Sequence, residues 1–322
     1  MQITVALDLY DRHMPFFLGT VTPPAGVEVR ALEVGMVPPR RHGIRRHARM
    51  LNDHEFDFCE LSLVSYIMAK ANGSPLTAIP VFPRRLFSQN HVYVRENSPI
   101  EHPRDLRGKR VLVWAFQVTM SVLAKGDFRR EYGLDWREVV WVGEHAEEVP
   151  WTPPTGVRLE RAPPGKSVAA MLLDGDVDAY INPHPPLDVL EADGRIRRLF
   201  RDPMTECAKY YAKNGYYPIM HLIGVHPRVL DHDPQLLREM MRMWDEAKHI
   251  AADYYTDHSF SEMAFARHEF DRQRTQLGPD LWPSGFAVNR LNLERFMEDC
   301  VEQRLIQNSI AAADLFHPST LD

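Results

Sequence analysis

Cysteine is scarce in this sequence, since 322 residues contain only Cys59, Cys207 and Cys300, far apart along the chain. Such spacing supplies neither a disulfide framework nor the paired cysteines of a zinc site. Long apolar runs are missing too, and none approaches the roughly 18 residues that a membrane-spanning helix needs. The first eight residues lack the basic start and the cleavage site of a signal peptide. We therefore expect a cytoplasmic protein without a membrane partner.

A surplus of basic residues and the common cofactor motifs are also absent. With 38 Lys and Arg against 44 Asp and Glu, the net charge is −6, whereas nucleic-acid-binding domains usually carry excess positive charge. We therefore expect no nucleic-acid partner. There is no Gly-rich phosphate loop and no His-Glu-x-x-His pair, so we expect no cofactor and assign no metal ligands. The sequence contains fifteen histidines, so a bound metal ion is not excluded. Its ligands would be His13, His91, His184 and His221, which could come together only in the folded protein.

Short apolar segments alternate with helix-like segments over the first two thirds of the chain. Examples are strands at 5–7, 56–61, 77–81 and 91–94, and helices at 41–51, 63–71 and 117–132. This alternation predicts an α/β fold with mainly parallel sheets. Two such sets, with a helical C-terminal region from about residue 231, predict two lobes facing a cleft. The predicted bounds are 1–88 with 218–322 for lobe 1 and 89–217 for lobe 2; a homo-oligomer is left open.

Two proline-bearing apolar segments, 79–94 and 216–225, are expected to connect these lobes. In the first, Arg84 and Arg85 are placed between two strands, and Asn90 and His91 follow. Ligands of two-lobed proteins favour the interface, so these polar side chains are predicted to face one. The arginine pair suits a carboxylate, because a guanidinium binds it through two parallel hydrogen bonds. A solvated turn is the alternative.

Further candidates stand where predicted strands end, which is where ligands of open α/β sheets bind. Tyr10 and Arg12 follow the first strand, and Asp11 between them could instead cap a helix. At the next junction Ser62 is the predicted helix N-cap, and Glu60 or Ser65 is expected to face the cleft. The corresponding residues of lobe 2 are Gln117, Thr119, Asn182 and His184.

The segment 40–49 is strongly basic, with Arg41, Arg45 and Arg49 at helical spacing. A solvated helix face is the ordinary interpretation of such a run. Attraction of an acidic ligand is the alternative.

Several short motifs, taken together, resemble those of the 4,5-dihydroxyphthalate decarboxylase family. They include Tyr10-Asp-Arg12, Glu60-Leu-Ser-Leu-x-Ser-Tyr66, Asp105-Leu-x-Gly-Lys109, Pro218-Ile-Met-His221 and Trp282-Pro-x-Gly-Phe286, in order along nearly the whole chain. The resemblance implies the fold of type 2 periplasmic solute-binding proteins and a cytoplasmic enzyme. Ser88-Gln89-Asn90 stands where the family is expected to carry Arg-His-Ser, and His184 replaces an expected arginine. These departures leave the substrate open.

The resemblance implies decarboxylation of a hydroxylated aromatic acid to a phenolic acid and CO2. No organic cofactor is needed, because the hydroxyl-bearing ring is its own electron sink. Arg85 and Arg49 are then expected to bind the carboxylate with Arg12 in reserve, His221 or His184 to act as the acid, and Glu60 and Tyr10 to lie near the phenol. The other expected substrate-binding residues are Arg84, Ser62, Ser65, Asn90, His91, Gln117, Thr119 and Asn182. A non-catalytic cytoplasmic protein that binds an aromatic or acidic solute is the alternative, as is another reaction on this scaffold.

Overall fold

The structure is a computed structural model that describes residues 1–35, 45–147, 149, 151–230 and 235–321. Its strands are β1 Gln2–Leu7, β2 Glu28–Glu33, β3 Phe58–Ser62, β4 Thr77–Arg85, β5 Val92–Arg95, β6 Arg110–Val113, β7 Val140–Gly143, β8 Arg158–Arg161, β9 Ala179–Ile181, β10 Ile196–Arg198 and β11 Ile219–Val225. Its helices are α1 Met14–Leu18, α2 Arg46–Asp53, α3 Leu63–Ala71, α4 Thr119–Tyr132, α5 Val168–Asp174, α6 Leu187–Leu190, α7 Pro203–Asn214, α8 Pro227–Leu230, α9 Gln235–Asp253, α10 Ala266–Leu277 and α11 Phe286–Glu302.

The chain divides into two compact units. Unit 1 contains residues 1–85, 219–294 and 310–322, and unit 2 contains residues 86–218 and 295–309. Residues 295–309, which the predicted bounds gave to lobe 1, thus pack within unit 2. One reason is the fork of Arg130, which binds the Asp299 carboxylate from within α4.

Unit 1 has a five-stranded sheet in the order β2-β1-β3-β11-β4. Strand β1 runs parallel to β2 and β3, whereas β11 runs antiparallel to both of its neighbours. The C-terminal ends of β1, β3 and β4 therefore meet the N-terminal end of β11 at one edge of the sheet. Met240 and Trp244 of α9 pack with Val5 and Ile223 in the core below.

Unit 2 has a six-stranded sheet in the order β10-β5-β9-β6-β7-β8. Strands β9, β6, β7 and β8 are parallel, and β5 pairs antiparallel with both β9 and β10. Each sheet is therefore mixed, with most strands running in one direction as predicted and a single strand, β11 in unit 1 and β5 in unit 2, running against them.

The prediction that Arg84 and Arg85 lie between two strands is wrong. Strand β4 extends through both residues, because Arg84 pairs with His221 and Arg85 with Ile219 of β11. The register shifts at two points along this pairing, which is how a strand accommodates Pro80 and Pro83. The polar turn follows afterwards, with a 3₁₀ segment at Ser88–Asn90.

The helical C-terminal region is interrupted by a 3₁₀ turn at His258–Phe260, after which α10 begins at Ala266. In the basic segment α2 begins at Arg46, and residues 40–44 lie outside the described part of the chain.

Candidate active site

Polar side chains converge at the edge of the unit 1 sheet where β3 and β4 end and β11 begins. His221 lies between its register partners Ser62 on β3 and Arg84 on β4. Glu60 precedes Ser62 by two residues, so its side chain is on the same face of the sheet. This edge brings together residues that are up to 161 positions apart in sequence.

Glu60 is the centre of the cluster and is fully buried. One oxygen, Oε1, lies 2.5 Å from Nδ1 of His221 and accepts a hydrogen bond of 3.0 Å from the Tyr10 hydroxyl. The other oxygen, Oε2, accepts from the backbone N–H of Asp8 at 3.2 Å. Three of the four residues predicted for catalysis, Glu60, His221 and Tyr10, are therefore in direct contact.

Arg46 supplies the cation that a buried carboxylate requires. Its side chain is fully buried, with Nη2 3.3 Å from Oε2 of Glu60 and Nη1 3.7 Å from Asp8. Nε and Nη1 also donate to the carbonyl oxygens of Glu60 and Val34. Sequence reasoning missed this residue, because it belongs to the basic run that was interpreted as a solvated face.

The charge on Glu60 follows from these contacts. Burial alone raises the pKa of a carboxyl group, but the Arg46 guanidinium and the hydrogen bond to His221 outweigh it. The pKa of Glu60 is consequently held well below its ordinary value. Glu60 is therefore a buried anion at neutral pH, at the edge of the sheet.

His221 is a neutral imidazole in the same environment. Burial lowers its pKa to about 4, although the neighbouring Glu60 carboxylate pulls the pKa upward. Because Glu60 is ionised and can only accept, Nδ1 of His221 is the donor in their contact. The other ring nitrogen, Nε2, is then a proton acceptor. A carboxylate thus orients an imidazole whose remaining nitrogen is unprotonated and can accept a proton, which is the arrangement of a general base.

Two more buried histidines surround this pair. The ring of His47 stands edge-on to that of His221 with 5.2 Å between centroids, and Nδ1 of His13 lies 2.9 Å from the Asp8 carbonyl oxygen. Burial lowers the pKa of His13 to about 4 and that of His47 well below its ordinary value, so both rings are neutral. Within the described ranges, no group of three or more His, Cys, Asp or Glu side chains could hold a metal ion.

The four candidate arginines have different surroundings. Arg84 is buried beside His221, and its charge contributes to lowering the His221 pKa. Arg12 lies over the Tyr10 ring, 4.3 Å from its centroid. Nη2 of Arg85 instead donates to Asn289 and to the Pro283 carbonyl, and Arg49 forms a two-bond pair with Glu55 near the surface. Arg84 and Arg12 are therefore closest to the cluster among these four.

The two predicted serines shape the start of helix α3. Ser62 is its N-cap, as predicted, and its hydroxyl accepts from the N–H of Ser65 at 3.5 Å. The Ser65 hydroxyl donates in turn to Ser62 at 3.2 Å. Asp11, considered as a cap, accepts from the Arg12 N–H but is not the N-cap of α1, since that position is His13.

The candidates of lobe 2 lie at one edge of the unit 2 sheet. Strands β6 and β9 end there and β5 begins there. The Gln117 side chain is bonded to the backbone of Val149, and buried Asn182 accepts from the N–H of exposed His184. The residues at this edge are Asn90, His91, Gln117, Thr119, Asn182 and His184.

The sequence is similar to a known family and to two enzymes of one name. A family model described as NMT1/THI5 like matches residues 30–142. The chain is 31% identical over 331 residues to 4,5-dihydroxyphthalate decarboxylase of Comamonas testosteroni, covering 100% of this chain and 98% of that protein. It is 34% identical over 175 residues to the protein of the same name from Pseudomonas putida, covering 52% of this chain and 68% of the relative.

Solved structures show the same fold at low sequence identity. The periplasmic aliphatic sulphonate binding protein of Escherichia coli superposes with a TM-score of 0.59 at 14% identity, covering 100% of this chain and 93% of that one. The predicted α/β fold of the periplasmic-binding-protein type is thereby confirmed. Among the described residues, no helix is both long and apolar enough to span a membrane.

Proposed function

The chain belongs to the 4,5-dihydroxyphthalate decarboxylase family, and we propose that it converts a hydroxylated aromatic carboxylic acid of this type to a phenolic acid and CO2. The observation that carries the proposal is the buried contact between the Glu60 carboxylate and Nδ1 of His221. It supplies an oriented base inside the predicted site. The proposed location is the cytoplasm, and the three cysteines support it, since all are free and buried.

Decarboxylation of such a ring requires one proton to leave a hydroxyl group and another to reach a ring carbon. Removing the proton of the hydroxyl para to the carboxylate pushes electron density onto the carbon that bears the carboxylate. That carbon takes up a proton, the bond to the carboxylate breaks, and its electron pair restores the aromatic ring. The hydroxyl then regains its proton. Overall, one proton is consumed, CO2 is released and a hydrogen atom replaces the carboxylate on the ring.

His221 is proposed to take the hydroxyl proton through Nε2. With its pKa lowered to about 4, the free imidazole is unprotonated at neutral pH and can accept a proton, so the role of base is proposed in place of the role of acid that the sequence suggested. Once protonated, the imidazolium is stabilised by Glu60, whose negative charge Arg46 maintains. The same imidazolium returns the proton after CO2 has left.

Arg84 is proposed as the carboxylate-binding residue of the cluster, because it pairs with His221 across the two strands. Arg12, which the sequence kept in reserve, contacts the cluster only through the Tyr10 ring. Arg85 and Arg49 are assigned structural roles instead, because Asn289 and Glu55 accept from their guanidinium groups. A planar guanidinium suits a carboxylate better than an ammonium does.

The test is CO2 release from a panel of hydroxylated aromatic acids by the wild-type protein and His221→Asn. Asparagine keeps a donor but cannot exchange a proton near neutral pH. We expect substrate affinity within about tenfold of wild type and turnover lowered by roughly 10²–10⁴, the usual contribution of general acid–base catalysis.

His226→Asn is the matched control, since His226 follows the far end of β11. It should retain wild-type turnover. Full turnover in His221→Asn excludes this residue as the base. If the wild-type protein binds panel members but releases no CO2 from any of them, the binding-protein alternative is correct and the proposed reaction is wrong.

A further inference from the structure

Unit 1 contains a cavity of about 270 Å³ that none of Glu60, His221 and Arg84 lines. It lies between the C-terminal turns of α9, helix α10, the turn at Asp11 and Arg12, and Trp282. The family motif that contains Trp282 therefore contributes to a second concave site, distinct from the cluster around Glu60.

The walls of this cavity suit a flat aromatic ring. Tyr255 and Phe270 stack with their centroids 5.2 Å apart and their planes at 13°. The small side chains of Ala251, Ala252 and Ala266 line the same space and leave it open. Aromatic ligands pack well against such ring faces and edges.

Arg12 provides a cation in a fixed position at this cavity. Its guanidinium lies 3.9 Å from the Trp282 ring centroid and 4.3 Å from that of Tyr10, so it is held between two rings. Nε donates to the Pro83 carbonyl at 2.7 Å and Nη1 to Asp11 at 3.2 Å. Nη2 has no hydrogen-bond acceptor among the residues that the structure describes, and the side chain is 18% exposed. One nitrogen of an immobilised guanidinium is thus available to an anionic oxygen.

The charged side chains at the cavity favour a ligand with a single negative charge. Lys248 is already paired with Asp280 and Glu269 with Arg272, and Asp11 contacts Arg12. Burial raises the pKa of Asp11, but the hydrogen bond from Tyr255 and the Arg12 charge lower it below its ordinary value, so Asp11 is ionised. A second carboxylate on the ligand would face these acidic groups without a cation of its own.

We propose that this cavity binds an aromatic monocarboxylate. Resting on the proposed function, the monocarboxylate is the phenolic product, which carries one carboxylate fewer than a dicarboxylate substrate. Arg12 stacks on Tyr10, and Tyr10 donates to Glu60, so a bound anion neutralises a positive charge beside the candidate active site. Less positive potential weakens attraction of an anionic substrate, and the product therefore raises KM with little effect on kcat.

Calorimetric titration with benzoate tests the site without requiring turnover. Ala252→Leu fills the cavity, and Ala264→Leu, on an exposed residue that does not line it, is the matched control. We expect wild type and Ala264→Leu to bind one more benzoate than Ala252→Leu, and to bind phthalate at this site at least about tenfold more weakly than benzoate. Met263→Trp fills the same cavity from another side and should reproduce the loss.

Equal benzoate stoichiometry in wild type and both cavity-filling variants would overturn the proposal, as would equal affinity for benzoate and phthalate at this site. The kinetic arm uses 3,4-dihydroxybenzoate, which should raise KM several-fold more in wild type and in Ala264→Leu than in Ala252→Leu, where only competition at the active site remains. A wild-type protein without turnover but with cavity-dependent benzoate binding contradicts the proposed function and leaves this site supported.

Discussion

Replacing Arg46 by methionine is the most direct test of the charge balance around Glu60. The guanidinium is fully buried and forms an ion pair with a carboxylate that is also fully buried. Methionine keeps much of the apolar length of the side chain but removes the charge and the donors to the carbonyl oxygens of Glu60 and Val34. The perturbation therefore isolates the electrostatic contribution of Arg46 from its packing.

The expected loss is about 3–5 kcal/mol in the free energy of unfolding at neutral pH, the usual cost of leaving one partner of a buried ion pair uncompensated. Without Arg46, burial dominates and raises the pKa of Glu60. As the pH falls, Glu60 of the variant is protonated and its uncompensated buried charge is removed. The difference in the free energy of unfolding between variant and wild type should therefore become smaller toward acidic pH. Turnover should fall as well, because an uncharged Glu60 no longer stabilises an imidazolium at His221.

Urea denaturation of wild type, Arg46→Met, Glu60→Gln and the double variant forms a double-mutant cycle for this pair. Each single variant leaves one buried charge alone, so the double variant should be clearly less destabilised than the sum of the two. Arg45→Ala is the control at the position just before α2, with an exposed side chain and an expected change within about 0.5 kcal/mol. Additive effects in the cycle, or a loss in Arg46→Met no larger than in Arg45→Ala, would refute the reasoning.

Two further outcomes are expected. Arg84→Ala should weaken binding of an aromatic acid by roughly 2–5 kcal/mol in calorimetric titrations, whereas Arg85→Ala should mainly lower the melting temperature; the reverse pattern restores Arg85 as the carboxylate-binding residue. Burial lowers the pKa of His13 from 6.5 to about 4, so the unfolded chain binds a proton in this window that the folded protein does not. Stability present above pH 6.5 is lost as the pH falls, by about 2 kcal/mol for this group between pH 7 and pH 5. Urea titrations of His13→Asn at both pH values should show a loss of stability between pH 7 and pH 5 that is smaller than in wild type by this amount. An unchanged pH dependence of stability contradicts a lowered pKa for His13.

Local patterns in the sequence predicted the elements that local chemistry determines. The N-cap at Ser62 and the helix that follows it are examples, because a serine before an apolar helical stretch satisfies the free backbone N–H groups there. The end of β4 was mispredicted because Arg84 and Arg85 extend the strand only by pairing with β11, more than 130 residues later. No local signal carries that information.

The candidate site shows the same division. Tyr10, Glu60 and His221 could be predicted because polar residues at the ends of apolar strands converge at a sheet edge. Arg46 could not, since a run rich in arginine gives no indication of which guanidinium is buried. Only its position in α2, next to β3, distinguishes it from the exposed Arg45.

The position of β11 between β3 and β4 has a consequence for the order in which the protein folds during synthesis. When the ribosome has made residues 1–85, strands β3 and β4 exist but the strand that separates them does not. Both strands then have an unpaired edge, which is a template for aggregation, until residues 219–225 emerge. His221 lies on that late strand, so the nascent chain acquires its candidate base in the same step that closes the sheet. Chains truncated before residue 219 are expected to be insoluble, and those that extend beyond β11 to be the first that can assemble the site.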